Sequence, residues 1–223
     1  MRHVTFLLAL TLAISSSVSN NRPTFTDAGE ISEPLARTSV ESTDVVVPDP
    51  LTLFKPEALS IKDREFMTAY RDGFTILSTD NNCRRFYGGT SDPLKVFNQM
   101  LARFSRSYID STMGIQMTGG YSNFMNSLNG FSYRLFAKGI INGWGPFYKQ
   151  KRFNSEAYVP GIGSYPPNTR KARVLMFLHE LAHLIKGTNG RWLIPDDGFD
   201  YDQSRRNTEL VEKQCGEYIQ KLE

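Results

Sequence analysis

Residues 169–187, TRKARVLMFLHELAHLIKG, constrain the fold of this chain more than any other stretch, because they predict a buried helix. Two prolines precede Thr169, whose hydroxyl can cap the first turn. Lys186 lies in the last predicted turn, and Gly187 is a typical C-terminal stop. Apolar residues cover nearly every side of this helix, so we expect it to lie inside the core.

His179, Glu180 and His183 stand within this helix in the order H-E-x-x-H. Residues four apart lie one above the other on a helix, so each imidazole can offer a nitrogen to the same metal ion. Glu180 can accept the proton of a water that the ion activates. A carboxylate within an apolar run is costly unless something pairs with it. The spacing therefore predicts a metal site at His179 and His183, with Glu180 as the catalytic base.

The third ligand must come from outside this motif. A catalytic zinc usually has three protein ligands and one open position. The chain has three histidines, and the third one, His3, falls in a segment that we predict to be removed. Thiolates such as Cys83 and Cys215 belong more to closed structural sites, so we expect a carboxylate. The downstream candidates are Asp196, Asp197, Asp200, Asp202, Glu209, Glu212 and Glu217.

A helical wheel of the last predicted helix, from about Ser204 to Lys221, narrows this set. Its buried face is predicted to carry Leu210, Val211, Gln214, Cys215, Tyr218 and Leu222. Glu209 projects nearly opposite that face, Glu217 lies well off its centre, and Glu212 is at its margin. Asn207, by contrast, points inward.

The acidic loop before this helix supplies the preferred ligand. Asp196 and Asp197 follow Leu193-Ile194-Pro195, an apolar anchor that can fold the loop back over the metal. We therefore rank Asp197 first, and Asp196 and Glu212 stay as alternatives.

The N-terminus predicts export. Residues 1–19 form a signal peptide with a cationic start, an apolar run too short to span a bilayer, and small residues at Ser17 and Ser19. Residues 20–50 are rich in Ser, Thr, Pro, Asp and Glu and predict a disordered leader. A single domain then occupies residues 51–223. In an exported protein, Cys83 and Cys215 are expected to form a disulfide, with two free thiols as the alternative.

Composition excludes some partners. The formal net charge is +3, and no long run of lysine or arginine gives an electrostatic footprint for nucleic acid. No stretch after the signal peptide is long and apolar enough to span a membrane.

The remaining pattern predicts an α+β domain. We expect a short helix over Lys62–Tyr70, a strand over Phe74–Leu77, and a helix with Asp92 as its cap and Pro93 at its first position. Residues 109–147 predict either short strands and turns or a helix over Asn123–Leu128. Phe153–Tyr165 alternates weakly and is a candidate edge strand.

The sequence H-E-L-A-H inside MFLHELAHLI resembles the active-site helix of the zincin metallopeptidases. The resemblance implies that His179 and His183 hold zinc, that Glu180 is the general base, and that an edge strand beside this helix aligns the substrate. Metzincins continue with a glycine and a histidine where this chain has Lys186 and Asn189, so that subfamily is disfavoured. The layout is also similar to secreted bacterial proteins without a known activity.

The expected function is that of a secreted zinc metallopeptidase acting on a peptide or protein substrate. The oxyanion would need a donor besides zinc, for which Tyr158, Tyr165 and Tyr201 are the candidates. One alternative is a secreted, non-catalytic binding protein that keeps the metal for structure. Another is a toxin or effector of narrow specificity that cleaves one target protein.

Overall fold

Five helices and one three-stranded sheet make up the part of the chain that the computed structural model describes, residues 59–126, 130–198 and 200–223. The elements are α1 (Arg64–Ser78), α2 (Asn82–Tyr87), α3 (Pro93–Leu101), β1 (Phe104–Ser107), β2 (Ile115–Asn126), β3 (Gly130–Asn142), α4 (Arg170–Ala182) and α5 (Tyr201–Gln220). The predicted α+β class is confirmed. The predicted signal peptide (1–19) and leader (20–50) lie outside the described residues. None of the described helices has the length and apolar character needed to cross a membrane.

Local capping explains where the first helices begin. The carboxylate of Asp63 accepts a hydrogen bond of 2.9 Å from the amide of Phe66 and starts α1. The predicted short helix over Lys62–Tyr70 is therefore correct but continues to Ser78, so the strand predicted over Phe74–Leu77 is wrong. That stretch buries Phe74 and Leu77 as part of the helix. The helix capped by Asp92 is confirmed as α3.

The sheet places β3 in the centre. β1 runs parallel to one side of β3, and β2 runs antiparallel to the other side as a long hairpin partner. The strand alternative for residues 109–147 is confirmed. The alternative helix over Asn123–Leu128 is wrong for residues 123–126, which belong to β2, and its last two residues lie outside the described residues. The register of β2 shifts between Thr118 and Tyr121, where Gly119 adopts a positive φ of 80°.

The predicted edge strand over Phe153–Tyr165 is not a strand. This segment makes only isolated bridges, Lys151 with Tyr158 and Ile162 with Tyr165, and turns at Asn154 with a positive φ. It folds on itself because its turns interrupt the weak alternation. The long edge strand of the sheet is β2 instead.

Helix α4 runs through the core. The hydroxyl of Thr169 accepts a hydrogen bond of 3.2 Å from the amide of Ala172, so the predicted cap is confirmed. The Phe177 ring lies 5.2 to 6.3 Å from four other phenylalanine rings, those of Phe66, Phe97, Phe104 and Phe147. These rings come from α1, α3, β1 and the loop before α4, so the H-E-x-x-H motif sits on a helix that packs against several elements of the core.

The helix ends earlier than predicted, because its continuation pairs with the sheet. α4 stops at Ala182, and His183 is its C-cap with helical backbone angles. The amide of Arg134 then donates to the carbonyl of Leu184 at 2.9 Å, and the amide of Lys186 donates to the carbonyl of Ser132 at 3.2 Å. These long-range bonds to β3 replace the predicted final turn before Gly187.

The last helix is joined to α2 by the predicted disulfide. Cys83 and Cys215 are bonded, and both are fully buried. The buried residues of α5 are Asn207, Val211, Cys215 and Ile219. Asn207 points inward as predicted, whereas Leu210 is 38% exposed and was wrongly placed on the buried face.

Candidate metal centre

Three side chains that were predicted as ligands converge at the end of α4. Ligand atoms of His179, His183 and Asp197 all lie within 4.8 Å of one another. The Nε2 atoms of His179 and His183 are 3.1 Å apart, and the Asp197 carboxylate lies 3.0 Å from the first and 3.5 Å from the second. Both histidines are buried, and Asp197 is half-buried. The structure thus assembles donors from a helix and from a distant loop.

The spacing of these donors fits a small tetrahedral cation. Bonds of about 2.0–2.1 Å at tetrahedral angles separate neighbouring ligand atoms by about 3.3 Å. The Nε2–Nε2 distance of 3.1 Å and the 3.0 Å from Nε2 of His179 to Oδ2 of Asp197 are near that value, and Nε2 of His183 lies 3.5 Å from the other oxygen, Oδ1. Two imidazole nitrogens whose lone pairs face each other at 3.1 Å repel one another unless a cation or a proton lies between them. The donor set of two imidazoles and one carboxylate is typical of zinc.

Helix α5 orients two of these ligands. The Thr208 hydroxyl lies 3.0 Å from Nδ1 of His179 and donates to the carbonyl of Ser204 at 2.9 Å. The Asn207 side-chain amide donates to the Asp197 carboxylate and, at 2.8 Å, to the backbone carbonyl of Pro195. Such outer contacts fix ligand orientation and contribute strongly to metal affinity. Asn207 and Thr208 are therefore residues of the candidate site to which the sequence argument assigned no role.

His183 is fixed through its backbone rather than through its second ring nitrogen. Its carbonyl accepts a hydrogen bond of 2.8 Å from Nε of Arg134, at the C-terminal end of α4. Its Nδ1 has no hydrogen-bond partner among the described residues and lies 4.0 Å from the Asp196 carboxylate. The sequence argument missed Arg134 as well, because it precedes His183 by 49 residues.

The alternative ligand Asp196 has another partner. Its carboxylate accepts hydrogen bonds from the Arg134 guanidinium and from the Tyr121 hydroxyl, the latter at 3.2 Å. Among the described residues, the donor group of the metal centre contains Asp197 and not Asp196.

The alternative ligand Glu212 lies against the loop before α4. Its carboxylate accepts hydrogen bonds from the hydroxyl and amide of Ser164, the latter at 3.1 Å. The other carboxylates of α5 pair locally, Glu209 with Arg205 at 2.8 Å and Glu217 with Lys221 at 2.9 Å. Their exposed positions agree with the wheel prediction.

Two carboxylates at the centre have shifted pKa values. Burial raises the pKa of Glu180 to about 7; nearby His179 opposes this rise and Asp197 adds to it. Glu180 nevertheless keeps some exposed surface, so water can reach it. Burial also tends to raise the pKa of Asp197, but the contacts of its carboxylate with the imidazoles of His179 and His183 outweigh burial and hold this pKa well below its usual range.

Tyr121 on β2 borders the centre. Its hydroxyl contacts Asp196, and its ring is close enough to Glu180 for the two groups to interact electrostatically. Burial raises the pKa of Tyr121 to about 12, so its hydroxyl keeps its proton at neutral pH. The tyrosines proposed from the sequence lie differently: Tyr158 and Tyr201 are largely exposed, and the Tyr165 hydroxyl faces Gly216 in the second half of α5.

No protein-family model, curated protein or solved structure matches this chain.

Proposed function

We propose that this protein is a secreted zinc-dependent metallopeptidase with a zincin-like active site. The observation that carries the proposal is the convergence of His179, His183 and Asp197 beside Glu180. Three protein ligands with a base next to them are typical of hydrolytic zinc sites, whereas structural sites have four.

The state of the cysteines favours the enzyme over a structural metal site. A closed site recruiting a thiolate would support a non-catalytic binding protein. Cys83 and Cys215 are both committed to the disulfide, and among the described residues the donor group contains three side chains. A fourth position is therefore left for a small oxygen ligand or a substrate.

The proposed reaction divides the chemistry between zinc and the protein. Zinc bound by His179, His183 and Asp197 would act as a Lewis acid, lowering the pKa of water and stabilising negative charge on an oxygen. Glu180 accepts the proton of the attacking water and then delivers it to the leaving amine. The Tyr121 hydroxyl is the proposed second donor to the developing oxyanion, since it is protonated and borders the centre; in that role it turns its one hydrogen from the Asp196 carboxylate, which keeps its bonds to Arg134.

An extended polypeptide is the proposed substrate because β2 offers a free edge at this place. Among the described residues, β2 pairs only with β3. Its outer backbone groups can bind a substrate chain by strand addition, which aligns main-chain carbonyls without a strict sequence requirement. Tyr121 belongs to this strand, so a chain bound along the edge passes the metal centre.

The disulfide supports the proposed location outside the cytoplasm. Disulfides persist in oxidising compartments such as the periplasm or the extracellular medium. A bond between the buried Cys83 and Cys215 therefore agrees with the export predicted from residues 1–19.

The test combines metal analysis with substrate cleavage. Purified mature protein should contain about one zinc per chain and cut members of a peptide library, and a chelator should abolish cleavage until zinc is restored. Casein should be included, because cleavage of one target protein but not of casein would indicate narrow specificity. Protein that keeps stoichiometric zinc but cuts no peptide or protein would instead be a metal-stabilised binding protein.

A further inference from the structure

Arg134 on β3 has a guanidinium group enclosed between two aromatic rings. Its side chain is 9% exposed. The guanidinium carbon lies 3.9 Å from the centre of the Tyr121 ring and 4.3 Å from that of Trp192. A planar, delocalised cation can stack on both rings at once, which the compact ammonium of lysine cannot do. The rings therefore fix the plane in which Arg134 presents its N–H groups.

Those N–H groups join the two segments that supply the metal ligands. Nε donates to the carbonyl of His183 at 2.8 Å, where α4 ends and its dipole is negative. Nη1 and Nη2 donate to the carboxylate of Asp196, the neighbour of Asp197. One rigid side chain thus spans from the second histidine ligand to the loop that carries the aspartate ligand.

We propose that Arg134 is a positioning residue that sets the distance between Asp197 and the two histidines, and thereby the affinity of the centre for its metal. The inference rests on the metal site of the proposed function, but it concerns metal retention and loop order and not the hydrolytic step. Arg134 acts entirely through His183 and Asp196.

Charge neutralisation is the second part of this role. A cation beside a metal site disfavours binding of another cation. The paired carboxylate of Asp196 balances Arg134, which leaves the negative charge of Asp197 to attract the metal. Removing Asp196 leaves the Arg134 charge unbalanced and should weaken metal binding, whereas removing Arg134 should weaken it through the lost link to His183 and Asp196. Removing both should cost less than the sum of the two changes.

The experiment compares Arg134→Lys with Arg170→Lys. Arg170 makes a similar bidentate pair with Asp72, with both N–O distances at 2.7 Å. It lies at the first turn of α4, at the other end of the helix from His183, and is therefore the control. Zinc affinity is measured by competition with a chromogenic chelator. Arg134→Lys should weaken zinc binding by about 10-fold to 100-fold, the usual effect of losing an outer-shell partner, whereas Arg170→Lys should not.

Amide hydrogen exchange in metal-free protein gives a readout that needs neither zinc nor activity. In Arg134→Lys, the amides of Leu193 and Asp200, which donate to the carbonyls of Ile185 and Asp197 on either side of the loop, should exchange faster, while the amides of α4 from Arg173 to Leu178 exchange as in the parent. Asp196→Asn weakens the same Arg134–Asp196 link by changing a side chain that is half-exposed. It replaces Arg134→Lys in this experiment if that variant does not fold. Its loop should loosen in the same way.

The outcomes separate this inference from the proposed function. Unchanged zinc affinity and unchanged loop exchange in Arg134→Lys would overturn the positioning role, as would equal losses of affinity in Arg134→Lys and Arg170→Lys. A parent protein that binds no zinc would refute the proposed function and the affinity claim. Loop exchange would then still decide whether Arg134 fixes the loop.

Discussion

The Oγ1 atom of Thr208 lies 3.0 Å from Nδ1 of His179, and its hydroxyl donates at 2.9 Å to the carbonyl of Ser204. A threonine hydroxyl has one hydrogen, so once that hydrogen is given to Ser204 the oxygen can only accept from the imidazole. With this arrangement Nδ1 of His179 carries the proton, and Nε2 is left with a lone pair for a metal ion. A residue of α5 thus selects the tautomer of a candidate metal ligand on α4.

Replacing Thr208 by valine keeps the shape of the side chain but removes the oxygen that accepts this bond. Zinc affinity, measured by chelator competition, should fall by about 10-fold to 100-fold because the ring loses its orientation and its fixed tautomer. Thr208→Ser keeps the hydroxyl and is the matched control. Equal affinities in the valine and serine variants would show that the contact does not affect the metal.

Glu180→Gln separates proton transfer from metal binding. Glutamine keeps the size of the side chain but cannot accept a proton from water. The variant should retain about one zinc per chain by elemental analysis while its peptide hydrolysis slows by about a hundredfold or more. His179→Ala is the contrasting variant, since it should lose the metal itself. If Glu180→Gln cleaves at the parental rate, another group is the base.

Asp197→Ala tests the third ligand. Loss of one ligand out of three should weaken zinc by more than the 10-fold to 100-fold typical of outer-shell changes. Glu212→Ala is the control from the same candidate set, because its carboxylate is bonded to Ser164. It should keep its zinc. The reverse result would place the ligand on α5.

The disulfide should stabilise the fold substantially. Cys83 and Cys215 are 132 residues apart. Closing a loop of that length lowers the entropy of the unfolded chain and so stabilises the folded state by at most about 5 kcal/mol. Urea unfolding of the Cys83→Ala/Cys215→Ala variant should show a free energy of unfolding about 2–5 kcal/mol below that of the parent. In the parent, denatured protein should release no titratable thiol before reductant is added.

The export prediction is checked by the N-terminus of secreted material. Cleavage after residue 19 removes the apolar run and begins the mature chain at Asn20. Mass spectrometry of protein collected outside the cytoplasm should find this terminus or one close to it. Recovery of exported protein that still begins at Met1 would contradict cleavage.

The convergence of the three candidate ligands could be predicted because it depends on local rules. The spacing of His179 and His183 needs only the helical repeat, and Asp197 followed from an apolar anchor before an acidic loop. The inward direction of Asn207 also followed from periodicity. Thr208 follows Asn207 directly. It could have been identified by asking which groups the inward-facing first turns of this helix contact.

The partners that fix the ligands could not be predicted in this way, because they depend on pairing between distant strands. Arg134 is 62 residues from Asp196, and Tyr121 is 75 residues from it. The glycine-rich hairpin that brings them together has weak local preferences. For the same reason the end of α4 was misplaced, since strand pairing with β3 ended the helix. The one available signal was an arginine within the otherwise apolar run Tyr133 to Phe136.

The division of the donors between α4 and the loop before α5 has a thermodynamic consequence. An unfolded chain can offer the histidine pair, but Asp197 joins it only when α5 has docked and Asn207 has bound the loop. Under the proposed function, zinc would bind the folded state in preference to the unfolded one, and each increase in free zinc would raise the folding equilibrium. At a zinc concentration a hundred times the dissociation constant, this linkage would add about 2.7 kcal/mol to the free energy of unfolding. The melting temperature of the protein would then depend on how much zinc its surroundings supply.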